Sequence, residues 1–152
     1  MRARTATVGD LEWIFSDISS RLSQEYAESG RQIQAVQDSL MMDLKEGRAH
    51  ALLDEDDVQA VITWHEVDSS THTLFAARDE FFRASTVRFS YGHIRHVQRL
   101  TGNLPIRHRS WLDRSEVAKW FKILGFRVRS QNKNSTVFEL APQRDDFARE
   151  AE

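Results

Sequence analysis

Ionisable side chains stand at the ends of two predicted central strands, where a base could act on a bound nucleophile. His65 and Glu66 close the third predicted strand, and Asp79 and Glu80 follow the fourth. A carboxylate or a neutral imidazole can remove a proton from a nucleophile, directly or through water. Strand ends are polar in most domains, so a solvated charge is the alternative interpretation of each residue. We take His65, Glu66 and Asp79 as the candidate bases.

Other catalytic patterns are incomplete. His93 and His96 lie three residues apart on a predicted helix, a spacing that can place two ligands on one metal ion. No third ligand has a sequence signature, so we predict no metal site. The chain lacks the Gly-x-Ser-x-Gly turn of a hydrolase nucleophile. It contains no cysteine, which excludes disulfides, thiolate ligands and a thiol nucleophile.

Arginines form a predicted basic surface. Arg88, Arg95 and Arg99 fall along one side of the predicted helix 85–100, and the following strand adds the basic run 107–109. Such a surface could hold phosphates, an acidic partner or a nucleic-acid backbone. The alternative is a solvated face whose charges are balanced by acidic residues elsewhere.

The composition favours one folded domain. The 152 residues are 40% hydrophobic and include two prolines, which is enough for one core. The 21 basic and 23 acidic residues leave a net charge of -2, so no overall field attracts nucleic acid or an anionic membrane. No stretch approaches the roughly 20 apolar residues of a membrane-spanning helix, and the N-terminus lacks the apolar core of a signal peptide. We expect a soluble cytoplasmic protein.

Hydrophobic periodicity and turn residues give the order of the elements. Thr7 and Asp10 form a predicted capping box at the start of the first helix. Helices with one apolar face are predicted at 11–22, 33–44, 85–100 and 115–124. Apolar or β-branched runs predict strands at 3–7, 49–53, 58–64, 71–77 and 104–112, with a last strand or hairpin at 128–140.

The resulting order, β-αα-βββ-α-β-α-β, predicts an α/β (α+β) fold. We expect a single domain over residues 1–141, with a mixed central sheet of about six or seven strands flanked by about four helices. Residues 142–152 form a charged tail that we expect to fray.

The predicted helix 115–124 has defined ends. Ser115 can accept a backbone N–H at its start, and Gly125 can supply the left-handed residue that ends it. Val117, Phe121 and Leu124, together with Trp120, recur on one face. We expect that face to pack on the sheet. The helix 85–100 similarly predicts Val87, Tyr91, Ile94 and Val97 as inward residues.

Two short stretches, combined with this element order, resemble the GNAT acetyltransferase superfamily. The first is the opening run 4–7 followed by Asp10 and Leu11, which is similar to the usual start of the superfamily. The second is the helix that closes with an aromatic residue, three residues, and then Gly-Phe, here Phe121 to Phe126. The chain resembles in particular the compact GNAT-like proteins of short-tailed bacteriophages. These proteins pass from a strand through an aromatic and basic stretch into a basic helix without a glycine-rich loop.

The resemblance implies an acetyl-CoA-dependent N-acetyltransferase in which an unknown amine attacks the thioester directly. It implies that acetyl-CoA runs along the fourth strand and that its pyrophosphate lies at the start of the next helix. The cofactor-binding residues implied in this way are Phe75, Ala76, Ala77, Arg78, Arg83, Ala84, Ser85, Thr86 and Val87. Ser85 is the expected N-cap of the predicted helix 85–100.

Three departures from the superfamily pattern support an alternative. The segment 82–87 contains no glycine, although glycines let backbone N–H groups close around a pyrophosphate. Phe121 stands where a tyrosine often serves as general acid, and Arg114 stands where an asparagine is common. The alternative is a GNAT-fold protein without catalysis, a phage-encoded factor that binds and modulates a host enzyme in the host cytoplasm.

The two hypotheses differ in one structural respect. A protein that binds the cofactor opens a cleft between the fourth and fifth strands, whereas a pure binding protein fills it with side chains such as Phe81, Phe82 or Trp111.

Overall fold

The computed structural model describes residues 1–111 and 115–144. The strands are β1 (Arg2–Thr5), β2 (Ala49–Asp54), β3 (Asp57–Val67), β4 (Ser70–Ala77), β5 (Ile106–Ser110), β6 (Arg127–Gln131) and β7 (Thr136–Leu140). The α-helices are α1 (Val8–Ser16), α2 (Ser20–Glu28), α3 (Ile33–Lys45), α4 (Val87–Leu100) and α5 (Ser115–Ile123). Two short 3-10 turns, Asp79–Phe82 and Ala84–Thr86, join β4 to α4.

The strands form one mixed sheet in the order β1-β2-β3-β4-β5-β7-β6. Every neighbouring pair is antiparallel except β4 and β5, which are parallel. This pair registers only Thr71 with Ile106 and His72 with Arg107, and then the strands separate. The predicted α/β fold with a mixed sheet is confirmed, and the separation divides the sheet into two arms.

The N-terminal helices differ from the prediction in one respect. Thr7 and Asp10 form the predicted capping box, and Asp10 also accepts two hydrogen bonds from Arg4, at 2.6 and 2.9 Å. The helix predicted at 11–22 is two helices, because Ser19 breaks it. The Ser19 N–H donates to the carbonyl of Ala77 at 2.8 Å, and the Ser19 hydroxyl accepts from the Arg21 N–H at 3.2 Å to cap α2.

The inward face of α4 also differs. Tyr91 is 45% exposed, so its predicted inward position is wrong. The buried face carries Ser90 and His93 beside the predicted Ile94 and Val97. Ser85 does not cap the helix, because Thr86 occupies the N-cap position and its hydroxyl donates to carbonyls of the preceding turn instead.

Helix α5 ends where the sequence predicts. Val117, Phe121 and Leu124 are buried, and Gly125 adopts a φ of 97°, a conformation that costs a glycine little. A Cβ at Gly125 would lie 2.7 Å from the Arg95 Nη2 and 3.3 Å from the Leu140 Cδ1, so the end of the flexible Arg95 side chain would have to shift. The Ser115 side chain and Arg114 lie outside the described residues.

The buried hydrophobic residues form two clusters. One packs α1, α2 and α3 on the sheet around Leu11, Ile14 and Leu40. The other packs α5 on β5 and β7 around Phe121 and Phe138, whose ring centroids lie 4.4 Å apart in a stacked arrangement. Within the described ranges, no helix is long and apolar enough to cross a membrane. The boundary between the domain 1–141 and a frayed tail stays a prediction, since residues 145–152 are outside those ranges.

Candidate functional site

The point at which β4 and β5 separate brings two polar side chains together. Thr73 and His108 are the first residues beyond the last registered pair, and Thr73 Oγ1 lies 3.2 Å from His108 Nδ1. Thr73 is buried, and His108 is half-buried. Where the two parallel strands begin to separate, a hydroxyl and an imidazole are therefore in hydrogen-bond contact. We call this pair, Thr73 and His108, the vertex.

His108 is held between an aromatic ring and a carboxylate. Its ring stacks on Phe121 with centroids 5.1 Å apart. Burial lowers the pKa of His108, and the opposing charge of Glu25 on α2 raises it in part. The lowered pKa keeps the imidazole neutral near pH 7, so it can accept a proton. Glu25 is fixed by the N–H of Trp111, which donates to Glu25 Oε1 at 3.1 Å.

An apolar cavity of about 50 Å³ lies on the α4 and α5 side of the vertex. Thr73 and His108 form part of its wall, and Phe121 lies beside them. Two side-chain atoms of lining residues, Ser90 Oγ and Trp120 Nε1, are buried and have no hydrogen-bond partner among the described residues. Buried polar atoms are normally paired, so these two are free to bind polar groups of a ligand.

Aromatic rings fill the space between the separated strands. Phe81 is 1% exposed, and its ring centroid lies 5.1 Å from Phe75 and 5.7 Å from Phe82. The ring centroids of Phe82 and Trp120 lie 6.2 Å apart, and the Arg21 guanidinium lies over the Phe82 ring, 4.5 Å from its centroid. The cleft is therefore filled in part, as the binding-protein hypothesis expects of Phe81 and Phe82.

Helix α2 bonds to both separated strands. The Tyr26 hydroxyl donates to the Phe75 carbonyl of β4 at 2.8 Å. The adjacent Glu25 accepts from the N–H of Trp111, immediately after β5. Among the described residues, Trp111 is not one of those that line the apolar cavity.

A larger groove of about 630 Å³ lies on the opposite side of the vertex. Thr73 and His108 line it as well as the cavity, so the vertex separates the two spaces. Its other lining residues are mostly basic or aromatic and include Arg31, Arg48, His65, His72, Arg107, Arg109 and Trp111.

The three candidate bases lie in different places. His65 lies in the groove wall, where its Nδ1 is 3.3 Å from Asp43, a buried carboxylate that also accepts from the Thr63 hydroxyl at 2.9 Å. Glu66 is exposed at the end of β3. Asp79 lies beyond the other end of β4 and accepts from the Ser20 N–H at 3.3 Å. The structure does not bring these residues together, and their catalytic role stays a prediction.

The implied cofactor residues have unequal surroundings. Phe75, Ala76 and Ala77 follow the vertex along β4. Arg78 already forms ion pairs with Asp17, Asp57 and Glu80, at 2.9, 3.8 and 3.9 Å. Its charge is therefore balanced by carboxylates.

The turn before α4 carries the remaining implied cofactor residues. Arg83 and Ser85 are exposed, whereas Thr86 is buried and Val87 half-buried. The side chain of Ala84 is outside the described part of the chain. Arg83 shares a surface groove with Asp54, Asp57 and Glu80 and forms an ion pair with none of them among the described residues.

The predicted stripe of arginines on α4 is not uniform. Arg88 and Arg99 are exposed. Arg95 is half-buried, and its guanidinium lies over the Tyr91 ring at 5.0 Å. Only the first of the three, Arg88, stands at the start of α4 near the implied phosphate site.

Three histidines cluster between β2 and α4. His50 Nδ1 lies 3.0 Å from His93 Nε2, and the ring of His96 stacks on His50 at 6.1 Å. Burial, followed by the neighbouring His50 and His96, lowers the pKa of His93 to about 3. Across the described ranges, no group of three or more histidine or acidic residues is arranged to hold a metal ion.

This burial makes stability depend on pH. At a pH below about 6.5, the pKa of histidine in the unfolded chain, His93 is protonated in the unfolded chain but stays neutral in the folded protein. The contribution of His93 to the free energy of unfolding is therefore complete above pH 6.5, and it falls as the pH drops toward 3. Near pH 5 we expect the loss from this residue to be about 2 kcal/mol. Urea unfolding of the wild type and of His93→Leu at pH 7 and 5 measures it. An equal pH dependence in the two proteins would contradict the assignment.

Comparison with known proteins identifies the fold. No protein-family model matches the chain, and no curated protein matches it. Among solved structures, the GNAT domain of PAT from S. lividans superposes with a TM-score of 0.69 and 18% identity, covering 91% of this chain and 89% of that one. The chain has the GNAT fold.

Two further solved structures with the GNAT fold contain a coenzyme. The PaiA N-acetyltransferase of Thermoplasma acidophilum, in complex with coenzyme A, gives a TM-score of 0.69 at 11% identity over 92% of this chain and 98% of that one. The putative acetyltransferase YncA of Salmonella typhimurium, with acetyl-CoA, gives 0.64 at 10% identity over 94% of each chain. At these identities the likeness establishes the fold alone.

Sequence reasoning missed the central residue of this GNAT-fold site. His108 appears in the sequence only as part of a basic run. Ile106, His108 and Ser110 alternate with Arg107 and Arg109. Since alternate residues of a strand face the same side of a sheet, this pattern could have predicted that His108 lies on the inner side of the strand. That Thr73 faces His108 depends on the pairing of β4 with β5, which no local pattern specifies.

Proposed function

We propose that the protein is an acetyl-CoA-dependent N-acetyltransferase that transfers acetyl to an amine by direct attack. The observation that carries this proposal is the vertex, where Thr73 and His108 separate an apolar cavity from an open groove. Two substrates that approach from opposite faces of the sheet would meet at this point. The GNAT fold supports the reaction class by analogy.

The described residues fit the chemistry of coenzyme A in part. The unpaired Ser90 Oγ and Trp120 Nε1 offer hydrogen bonds in the cavity, and Arg83 and Arg88 offer exposed cations near the start of α4. We propose these residues, with the strand and turn residues implied by the resemblance, as the binding site. When bound, acetyl-CoA supplies the activated acetyl group.

The size of the cavity sets a condition on binding. Ligand pockets commonly measure roughly 300–1,000 Å³, far more than the 50 Å³ between the strands. Binding therefore requires a side chain to move. We propose Phe82, which is half-buried and packs against the lining residues Phe75, Phe81 and Trp120.

His108 is the residue we propose as the base. Its neutral imidazole takes the proton from the attacking amine, and Thr73 holds Nδ1 in position. The negative charge of Glu25 stabilises the imidazolium that forms. The thioester C–S bond breaks and coenzyme A leaves as a thiolate. Phe121 can give it no proton, so the thiolate takes its proton from water.

A second candidate function is binding without catalysis. The buried Phe81 between the strands and the absence of glycine in residues 82–87 favour it. The resemblance to phage proteins suggests a phage-encoded factor that binds a host enzyme in the host cytoplasm.

Calorimetry with acetyl-CoA distinguishes the two functions. For the enzyme we expect micromolar binding, weakened roughly ten-fold in Arg83→Ala and in Arg88→Ala by loss of a charged phosphate contact. Arg127→Ala, an exposed arginine on the edge strand β6, is the matched control and should bind normally. Absence of binding to folded wild-type protein would contradict the transferase and favour the binding protein.

A further inference from the structure

We infer that the groove binds a primary amine that also carries a carboxylate, and that this is the acceptor. The inference rests on the proposed function and specifies its substrate class. It follows from two arginines in the groove that are held in place by neutral oxygens and are not paired with any carboxylate of the described residues.

Arg31 is fixed by neutral oxygens. Its Nη2 donates to the Ser39 hydroxyl at 2.7 Å and to the Ala35 carbonyl at 3.2 Å, both on α3. Arg109 is fixed in the same way from the other side of the groove. Its Nη1 donates to the Ser135 hydroxyl at 2.7 Å, and its guanidinium lies over Trp111 at 5.7 Å.

Neither arginine has a carboxylate within ion-pair distance among the described residues. The other two arginines of the groove differ, since Arg107 pairs with Glu139 at 2.9 Å and Arg48 pairs with Asp43 at 3.4 Å. Arg31 and Arg109 therefore keep their full charge at a concave surface, where the field of a charge is concentrated. Guanidinium groups match the planar shape of a carboxylate.

The acidic counterpart lies in an adjoining recess below α2. Arg31, His108, Arg109 and Trp111 line this recess as they line the groove, and Glu25 joins them there. An ammonium is attracted to Glu25, beside the proposed base, while a carboxylate on the same molecule reaches the arginines. The arrangement of charges thus matches a molecule with both groups.

Two sources provide this chemistry, a free amino acid and the N-terminus of an acidic peptide. Both carry a primary amine and a carboxylate on the same molecule. Peptide binding in the absence of coenzyme tests the groove separately from the transferase reaction.

The experiment uses a short peptide whose free N-terminal serine is followed by glutamates, labelled at its C-terminus for fluorescence anisotropy. Two control peptides are measured beside it. In one, glutamines replace the glutamates, which changes only the charge; the other is the glutamate peptide with an acetylated N-terminus. We expect the glutamate peptide to bind at least ten-fold more tightly than either one. Arg31→Gln and Arg109→Gln should each weaken it roughly ten-fold, and Arg127→Gln should not.

Equal binding of the glutamate and glutamine peptides, or no effect of the two arginine variants, would overturn the inference. If free L-glutamate displaces the bound peptide, a free amino acid is sufficient for binding. If it does not, the groove requires a peptide. Either result supports a ligand with both an amine and a carboxylate. If the peptide binds as expected but acetyl-CoA does not, the groove is a binding site and the transferase proposal alone fails.

Discussion

Replacing His108 with glutamine is expected to lower kcat by roughly 10²–10⁴-fold, with only a small change in the affinity for acetyl-CoA. Glutamine retains a polar group near Thr73 but cannot accept the proton of the amine. The imidazole must be neutral to act, and burial lowers its pKa. Activity of the wild type should therefore fall on acidification with a midpoint below about 6.5, and this limb should be lost in the variant.

Steady-state release of thiol from acetyl-CoA, with the acceptor found by the binding experiment, measures this effect. His65→Gln is the matched control, because His65 also lines the groove but its imidazole contacts Asp43. Glu66→Gln and Asp79→Asn complete the set of candidate bases. A variant of one of these three that loses activity while His108→Gln keeps it would show that the base was assigned to the wrong residue.

Replacing Phe81 with alanine is expected to lower the free energy of unfolding by about 3–5 kcal/mol. The ring is 1% exposed and contacts Phe75, Phe82 and Trp120, so its removal leaves a cavity as well as losing apolar burial. The effect is large because the separated strands leave a space that the surrounding backbone cannot close. Urea unfolding monitored by tryptophan fluorescence gives the change in free energy.

Phe82→Ala serves as the control for this prediction. Its ring is only half-buried, and we expect a loss of about 1 kcal/mol, with tighter binding of acetyl-CoA if the ring blocks entry. Similar losses for the two variants would mean that Phe81 does not fill the cleft in solution.

Much of the fold follows from local sequence signals. The capping box at Thr7, the positive φ of Gly125 and the acidic turn between β2 and β3 are each specified by a few neighbouring residues. Apolar periodicity then gives the order of the strands and helices. These signals are reliable here because helix caps and turns are satisfied by residues close in sequence.

The features missed depend on contacts between distant residues. The break between α1 and α2 follows from the bond of Ser19 to Ala77, and the site follows from the contact of Thr73 with His108. Tyr91 was misplaced because Ser90 and His93 replace it on the buried face, and neither is typical of a core. A polar vertex inside a sheet cannot be read from apolar patterns.

The two bonds from α2 to the separated strands have a consequence for solubility. An unpaired strand edge is a template on which another chain can add a strand. Tyr26 occupies the carbonyl of Phe75, and Glu25 occupies the N–H of Trp111, so one helix blocks a position on each open edge. Where β4 and β5 separate in the middle of the sheet, these contacts leave fewer free backbone groups with which another chain could pair.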